Sequence, residues 1–233
     1  MNPAQGAIAG AYVGLMLAAV AVTAFLWMRM ARQNRQLPWI YMAGLVAAFV
    51  GSKVVYLLAE GWHDVNDPNW LLRWASGKTI LGGLLAGYAG VEYAKSALGY
   101  GEPTGDRFAV AVPIGIAMGR VGCWIHGCCL GQPCSPGFWT QKDLQGIARW
   151  PAVPLELAFN LAAAALLYGL QRGGQCRHQC FHLYLMGYGT FRFLHEFMRD
   201  TPRLVGPISG YHIAAAGVAA LGWFRYQQRA RCP

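Results

Sequence analysis

Two short stretches of this 233-residue chain hold most of the groups able to do chemistry in an otherwise apolar sequence. The first is GRVGCWIHGCCLG (119–131), which follows the apolar run FAVAVPIGIAM (108–118); no charge falls between Arg107 and Arg120. A guanidinium at the end of such a run is costly unless it has a partner or a ligand. The second is FRFLHEFMR (191–199), where Arg192, Glu196 and Arg199 recur at i, i+4 and i+7. That spacing predicts one helical face, with Arg–Glu pairing at each step. His195 stands beside Glu196, roughly 100° around the helix. Lys53 in GSKVVY (51–56) and Glu156 are further charges inside apolar segments. Three arginines and a lysine against two glutamates leave net positive charge in a low-dielectric place. Arginine forks match phosphate oxygens bidentately, so the excess points to an anion site, and within a membrane to a phospholipid headgroup. A structural ion-pair network joining helices is the alternative.

The cysteines raise a separate question. Cys123, His126, Cys128, Cys129 and Cys134 fall within twelve residues, and Cys176, His178, Cys180 and His182 form a second group. Thiolate and imidazole suit zinc or copper(I). Yet C-x-x-H-x-C-C-x-x-x-x-C is not a zinc-finger spacing, and no metal or cofactor is assigned from it. For the first group packing, a disulfide from Cys134 to Cys128 or Cys129, redox or acyl-carrier use, and metal binding all stay open. The second reads as a solvated loop.

The segments that must position these groups are membrane spans. Hydrophobic residues make up 55% of the chain and charged residues 12%, about half the charged share of a soluble domain. So few charges could hardly cover a soluble surface, whereas lipid needs none. Apolar runs predict an all-α integral membrane protein of about seven transmembrane helices: 7–28, 39–59, 80–94, 107–127, 153–170, 180–198 and 208–224. The first lacks a basic n-region and a cleavage site, so it reads as an uncleaved helix rather than a signal peptide. Residues 1–233 read as a single transmembrane domain. Gly83/Gly87 and Gly115/Gly119 have the GxxxG spacing of close helix packing. The loops after spans one, three and five and the C-terminal tail carry ten basic residues, Arg29, Arg32, Arg35, Lys95, Arg107, Arg172, Arg177, Arg225, Arg229 and Arg231; the opposite loops carry six. That bias places the N-terminus outside and the C-terminus in the cytoplasm. The net charge of +9 is scattered, with no basic tract, which argues against nucleic acid and for lipid headgroups.

GRVGCWIHGCCLG resembles the signature of the prolipoprotein diacylglyceryl transferase family, G-R-x-G-N-F-x-N-x-E-x-x-G, through Gly119, Arg120, Gly122, an aromatic Trp124 and Gly131. Further segments agree in order. GSKVVYLL resembles G-A-R-x-x-Y, with Lys53 for the arginine and Tyr56 at the tyrosine. ILGGLLAG resembles H-G-G-L-x-G at Gly82 and Gly83. WPAVPLELAFN places Glu156 at the glutamate of H-P-x-Q-L-Y-E. YGTFRFLHEFMRD is similar to Y-G-x-x-R-F-x-x-E-F-x-R at Tyr188, Gly189, Arg192, Phe193, Glu196, Phe197 and Arg199. The resemblance covers about residues 10–225 and implies a bacterial inner-membrane enzyme that moves diacylglyceryl from phosphatidylglycerol to a cysteine thiol of a lipoprotein precursor. It implies that Arg120 and Arg192 hold the leaving phosphate and that Glu196 orients Arg192 or Arg199. Gly83 would line the lipid pocket at a place where a side chain would clash. Lys53, Tyr56, Gly82, Gly122, Cys123, Gly131, Glu156 and Arg199 fall among the substrate-binding positions. Leu81, Cys123, His126 and Cys128 stand where the family has histidine, asparagine, asparagine and glutamate. His126, His195 or a cysteine thiolate is then the candidate base, with His126 the catalytic choice. These departures also carry the alternative: a cysteine-rich relative acting as a thiol-redox, sulfur-handling, or metal- or lipid-binding membrane protein.

Overall fold

A computed structural model describes residues 34–143 and 145–230, with Phe25, Met28, Arg29 and Arg32. The predicted first span falls almost wholly outside the described residues. Among the described residues the regular elements are helices apart from one hairpin, joined by irregular loops. Five long helices, α1 (Leu37–Ala59), α3 (Ile80–Ala97), α4 (Gly105–His126), α5 (Ala152–Arg172) and α7 (Gly210–Ala230), accompany the shorter α2 (Trp70–Ser76) and α6 (Cys180–His195). The hairpin pairs β1 (Gln141–Lys142) antiparallel with β2 (Ala148–Arg149), so the all-α expectation omits a small feature of the loop between α4 and α5. Among the described residues three helices, α1, α4 and α5, are long and apolar enough to cross a bilayer.

α1 packs chiefly on α3, α4 on α5, and α6 on α7. Large apolar side chains such as Leu45, Val46, Phe49 and Val54 remain exposed on α1, as lipid-facing residues do. Inside, Phe181, Tyr184, Leu185 and Tyr188 of α6 form the spine of the core. The N-terminus of α6 has no cap of its own side chain. The carboxylate of Asp106 at the start of α4 instead accepts from the backbone N–H groups of His178 (2.5 Å) and Cys180 (3.1 Å). This satisfies donors that a helix start leaves open and favours negative charge there.

Small residues set the helix spacing. A Cβ at Gly82 would lie 2.7 Å from Cβ of Val55 on α1. Among the described residues nothing comes within 4 Å of a Cβ at Gly115 or Gly119. Among the described residues that GxxxG pair thus meets no neighbouring helix closely. At Gly189 a Cβ would lie 2.8 Å from the carbonyl oxygen of Ala215 and from Cα of Ala219. Backbone cannot yield as a rotamer can. Gly189→Val is expected to destabilise the fold by about 3 kcal/mol through overpacking, read as a lowered thermal midpoint in detergent. Gly169→Val, where nothing lies within 4 Å, should leave the midpoint near that of the parent.

Candidate active site

The end of α4, the start of α5 and the end of α6 meet at one end of the bundle, under the loop that joins α4 to α5. Arg120 on α4 and Glu156 on α5 are 7% and 0% exposed. An Nη of Arg120 lies 2.9 Å from both carboxylate oxygens of Glu156. Tyr188 of α6 donates its hydroxyl to the same carboxylate at 2.7 Å. One turn on, Asn160 donates to the Glu156 carbonyl at 2.8 Å and accepts from the Tyr184 hydroxyl at 2.8 Å.

A second carboxylate completes the cluster. Glu196 is wholly buried and pairs with Arg192 across one helical turn. It also accepts from the hydroxyls of Thr201 (2.5 Å) and Ser209 (3.2 Å). Arg199 spans the two acids, 3.7 Å from Glu156 and 3.9 Å from Glu196. Three guanidiniums thus face two carboxylates. Nε of Arg120 and both Nε and Nη1 of Arg199 are buried without a hydrogen-bond partner among the described residues. Buried donors of that kind are normally satisfied. An anion with several acceptor oxygens, such as a phosphate, would satisfy them and balance the remaining positive charge.

The loop forms the wall. Residues 130–133 run between two other backbone segments: the N–H of Gln132 donates to Met198 (2.8 Å), that of Asp200 to Leu130 (3.3 Å), and that of Trp150 to Gln132 (3.0 Å). Gly131 bridges to Arg199, and a Cβ there would lie 2.8 Å from Cβ of Trp150. Arg149 clamps the wall through Asp143 (2.6 Å), Asp200 (2.9 Å) and the carbonyl of Gly131 (3.1 Å). The hydrogen bond from Arg149 holds the Asp143 carboxyl below the ordinary carboxylate range. The clamp therefore persists through mildly acidic pH and is lost only as pH falls through that lowered value.

Beside the arginines, the thiols of Cys123, Cys128 and Cys129 converge, their sulfurs all within 4.8 Å of one another. Arg120 Nη1 lies 3.9 Å from Cys123 Sγ. All six described cysteines are free thiols. A separate apolar cavity of about 420 Å³ runs between α1, α3, α4 and α6, with Lys78 at one end and Arg229 at the other.

Residues 7–226 match the family described as prolipoprotein diacylglyceryl transferase. This chain belongs to that family. Among its relatives is the phosphatidylglycerol–prolipoprotein diacylglyceryl transferase of Paracidovorax citrulli, 29% identical over 73% of this chain and 66% of the relative. The protein of the same name from Bordetella bronchiseptica is 31% identical over 81% of this chain and 72% of its own length. That from Methylococcus capsulatus is 32% identical over 66% and 61%. The chain thus spans about two thirds of the length of such relatives.

Against the transferase family's motif positions, the predicted residues divide into two groups. Arg120, Arg192, Glu196, Arg199 and Glu156 come together in the ion cluster, with Cys123 at its edge. Gly122 is buried on α4 and Gly131 lies in the wall. Arg199 reaches the cluster by a different route from the one its spacing predicts. α6 ends at His195, Glu196–Met198 is a 3-10 turn, and Arg199 is extended, so the i+7 position is not on the helix. The other group lies apart. Lys53 donates to the carbonyls of Trp74 (2.8 Å) and Ala75 at the C-terminal end of α2. Tyr56 donates to Asp64 at 2.7 Å. Gly82 sits in the α1–α3 contact. Gly83 lines the apolar cavity, and a Cβ there would meet no described atom closer than 3.6 Å. His126 is exposed on the last residue of α4. His195 is buried, its Nε2 2.9 Å from the Ala152 carbonyl. The second Cys/His group is not a ligand cluster: Cys180 is buried, its thiol on the Cys176 carbonyl at 3.4 Å, and His182 meets the Tyr88 hydroxyl at 3.2 Å. Asn160, Thr201 and Ser209 join the site without having been singled out. Asn160 alone had a signal, as a polar residue one turn after Glu156 within a span.

Proposed function

We propose that this chain transfers a diacylglyceryl group from phosphatidylglycerol, or a related anionic phospholipid, to the cysteine thiol of a lipoprotein precursor. It would do so as a seven-span protein of the bacterial inner membrane, with its N-terminus outside. The observation that carries the reading is the buried excess of guanidinium over carboxylate, with donors left open on Arg120 and Arg199. The relatives' names supply the substrates.

In this reading Arg120 and Arg192 hold the phosphate of the lipid, Glu196 fixes Arg192, and Arg199 adds donors. The acceptor thiol gives up its proton, with His126 as its carrier to solvent. The thiolate attacks the diacylglycerol carbon that bears the phosphate ester. A C–S bond forms, the C–O bond breaks, and its electron pair leaves on glycerol phosphate. Charge that develops on the leaving phosphate meets fixed cations in a dry place, where they stabilise it more than water would. The apolar cavity suits acyl chains, and the retained Gly83 lies on its wall.

Complementation tests this. In a bacterial strain depleted of its own transferase, the chain is expected to restore growth and lipidate a reporter lipoprotein. A well-expressed chain that leaves the reporter unmodified would overturn the reading.

A further inference from the structure

The three converging thiols do not take part in the phosphate-holding cluster, and their placement follows from how α4 ends. Gly127 is left-handed (φ 68°, ψ 30°). Its N–H donates to Trp124 at 3.2 Å, and that of Cys128 donates to Cys123 at 3.1 Å. This is the Schellman stop, in which the residue two past the cap folds back onto the residue three before it. Here those two residues are Cys128 and Cys123. Cys129 then takes a positive φ of 61°, a conformation that is strained for a residue with a Cβ and clusters at functional sites. It brings the third sulfur within reach of the other two. Leu130, next in sequence, is tied to Asp200, which sets Cys129 beside Arg199 as well as Arg120.

We infer that Cys123, Cys128 and Cys129 bind one thiophilic divalent cation, of which zinc is the best match, as a three-thiolate centre whose fourth position takes the acceptor cysteine. Three protein ligands with an open position mark a catalytic rather than a structural zinc site. Among the described residues no fourth histidine, cysteine or carboxylate joins the three sulfurs within 4.8 Å. The metal itself offsets two of the three thiolate charges, and Arg120 and Arg199 lie alongside. Among the described residues, both carboxylates buried near the thiols are held by arginines and His126 is exposed, which leaves the metal to activate the thiol with His126 as the proton carrier. A coordinated thiol is deprotonated outright. The incoming thiol thus loses its proton to water through His126, and its sulfur, still on the metal, attacks the lipid carbon as the C–O bond to phosphate breaks. The metal is neither oxidised nor reduced. This role rests on the transferase reading; the metal site itself does not.

The test uses the full chain purified in detergent under reducing conditions. One equivalent of zinc per chain is expected. It should be lost in Cys123→Ser, Cys128→Ser and Cys129→Ser and retained in Cys176→Ser, all compared at equal monodispersity. Cobalt in place of zinc should show thiolate charge-transfer absorption that changes when a lipobox-type cysteine peptide is added and not with its serine counterpart. Withdrawal of zinc should slow transfer by about tenfold or more, since a free thiol is only a few per cent thiolate at neutral pH. No bound zinc while the three thiols titrate as free, or an isolated disulfide among them, would overturn the site. Bound zinc with an unresponsive cobalt spectrum and unchanged transfer would overturn its role with the acceptor. A responsive spectrum without any lipid transfer would uphold the site and sink the transferase reading instead.

Discussion

Replacing Arg120 with alanine is expected to lower diacylglyceryl transfer by about 10²–10³-fold, the effect of removing one preorganised group that stabilises developing negative charge. Among the described residues Arg120 is the only cation within 3 Å of the Glu156 carboxylate, and its Nε is an open donor. It therefore carries both a structural and a ligand-facing role on one planar group. Arg120→Lys separates them. A lysine keeps the charge near Glu156 but has no fork, so it should recover folded protein while leaving most of the activity missing. The measurement is kcat/KM with labelled phosphatidylglycerol at matched amounts of folded protein. Recovery of parental activity by lysine would show that a point charge suffices and that bidentate phosphate binding at Arg120 is wrong.

The second large effect is on the fold. Glu156 is fully enclosed and serves Arg120, Tyr188 and, at longer range, Arg199. Glu156→Ala leaves two buried guanidiniums without that counter-charge, and removing one partner of a buried pair costs about 3–5 kcal/mol. Glu156→Gln keeps acceptors for Tyr188 and Arg120 and should be much milder. A paired change, Glu156→Leu with Arg120→Met, removes both charges and is expected to return a substantial part of the lost stability while abolishing transfer. Thermal unfolding in one detergent, read for the three variants together, checks the order. If Glu156→Ala unfolds at the parental temperature, the cluster is not the structural tie described above.

The sequence made the helices legible because spans announce themselves by length and apolarity, and the predicted segments from 39–59 onward each coincide with a helix. It also made the ion cluster legible in part: charges are so rare in and beside these apolar segments that Arg120, Glu156, Arg192, Glu196 and Arg199 stand out from sequence alone. What it could not supply was distance. Lys53 has the same rarity as Arg120, yet it is spent on the carbonyl end of α2, because the short helix in the following loop folds back over it. The reach of Arg199 was predicted for the wrong reason, since nothing in FRFLHEFMR signals that the helix tightens to a 3-10 turn after His195. Thr201 and Ser209 were hidden by their ordinariness, as hydroxyl residues in a loop. The cysteine group shows the reverse case. Its spacing is not that of a zinc finger, and the Schellman turn at Gly127 is what makes neighbours of Cys123, Cys128 and Cys129.

The central claim is that a buried, arginine-rich cluster in this chain supports transfer from a lipid phosphate to a thiol. Purified protein in nanodiscs, given phosphatidylglycerol labelled in both its glyceryl groups and a lipobox-type cysteine peptide, tests it directly. The account predicts a thioether-linked diacylglyceryl peptide together with an equal amount of glycerol phosphate, both absent with Arg192→Ala. Folded protein that binds the lipid but yields neither product, with zinc supplied, would contradict it.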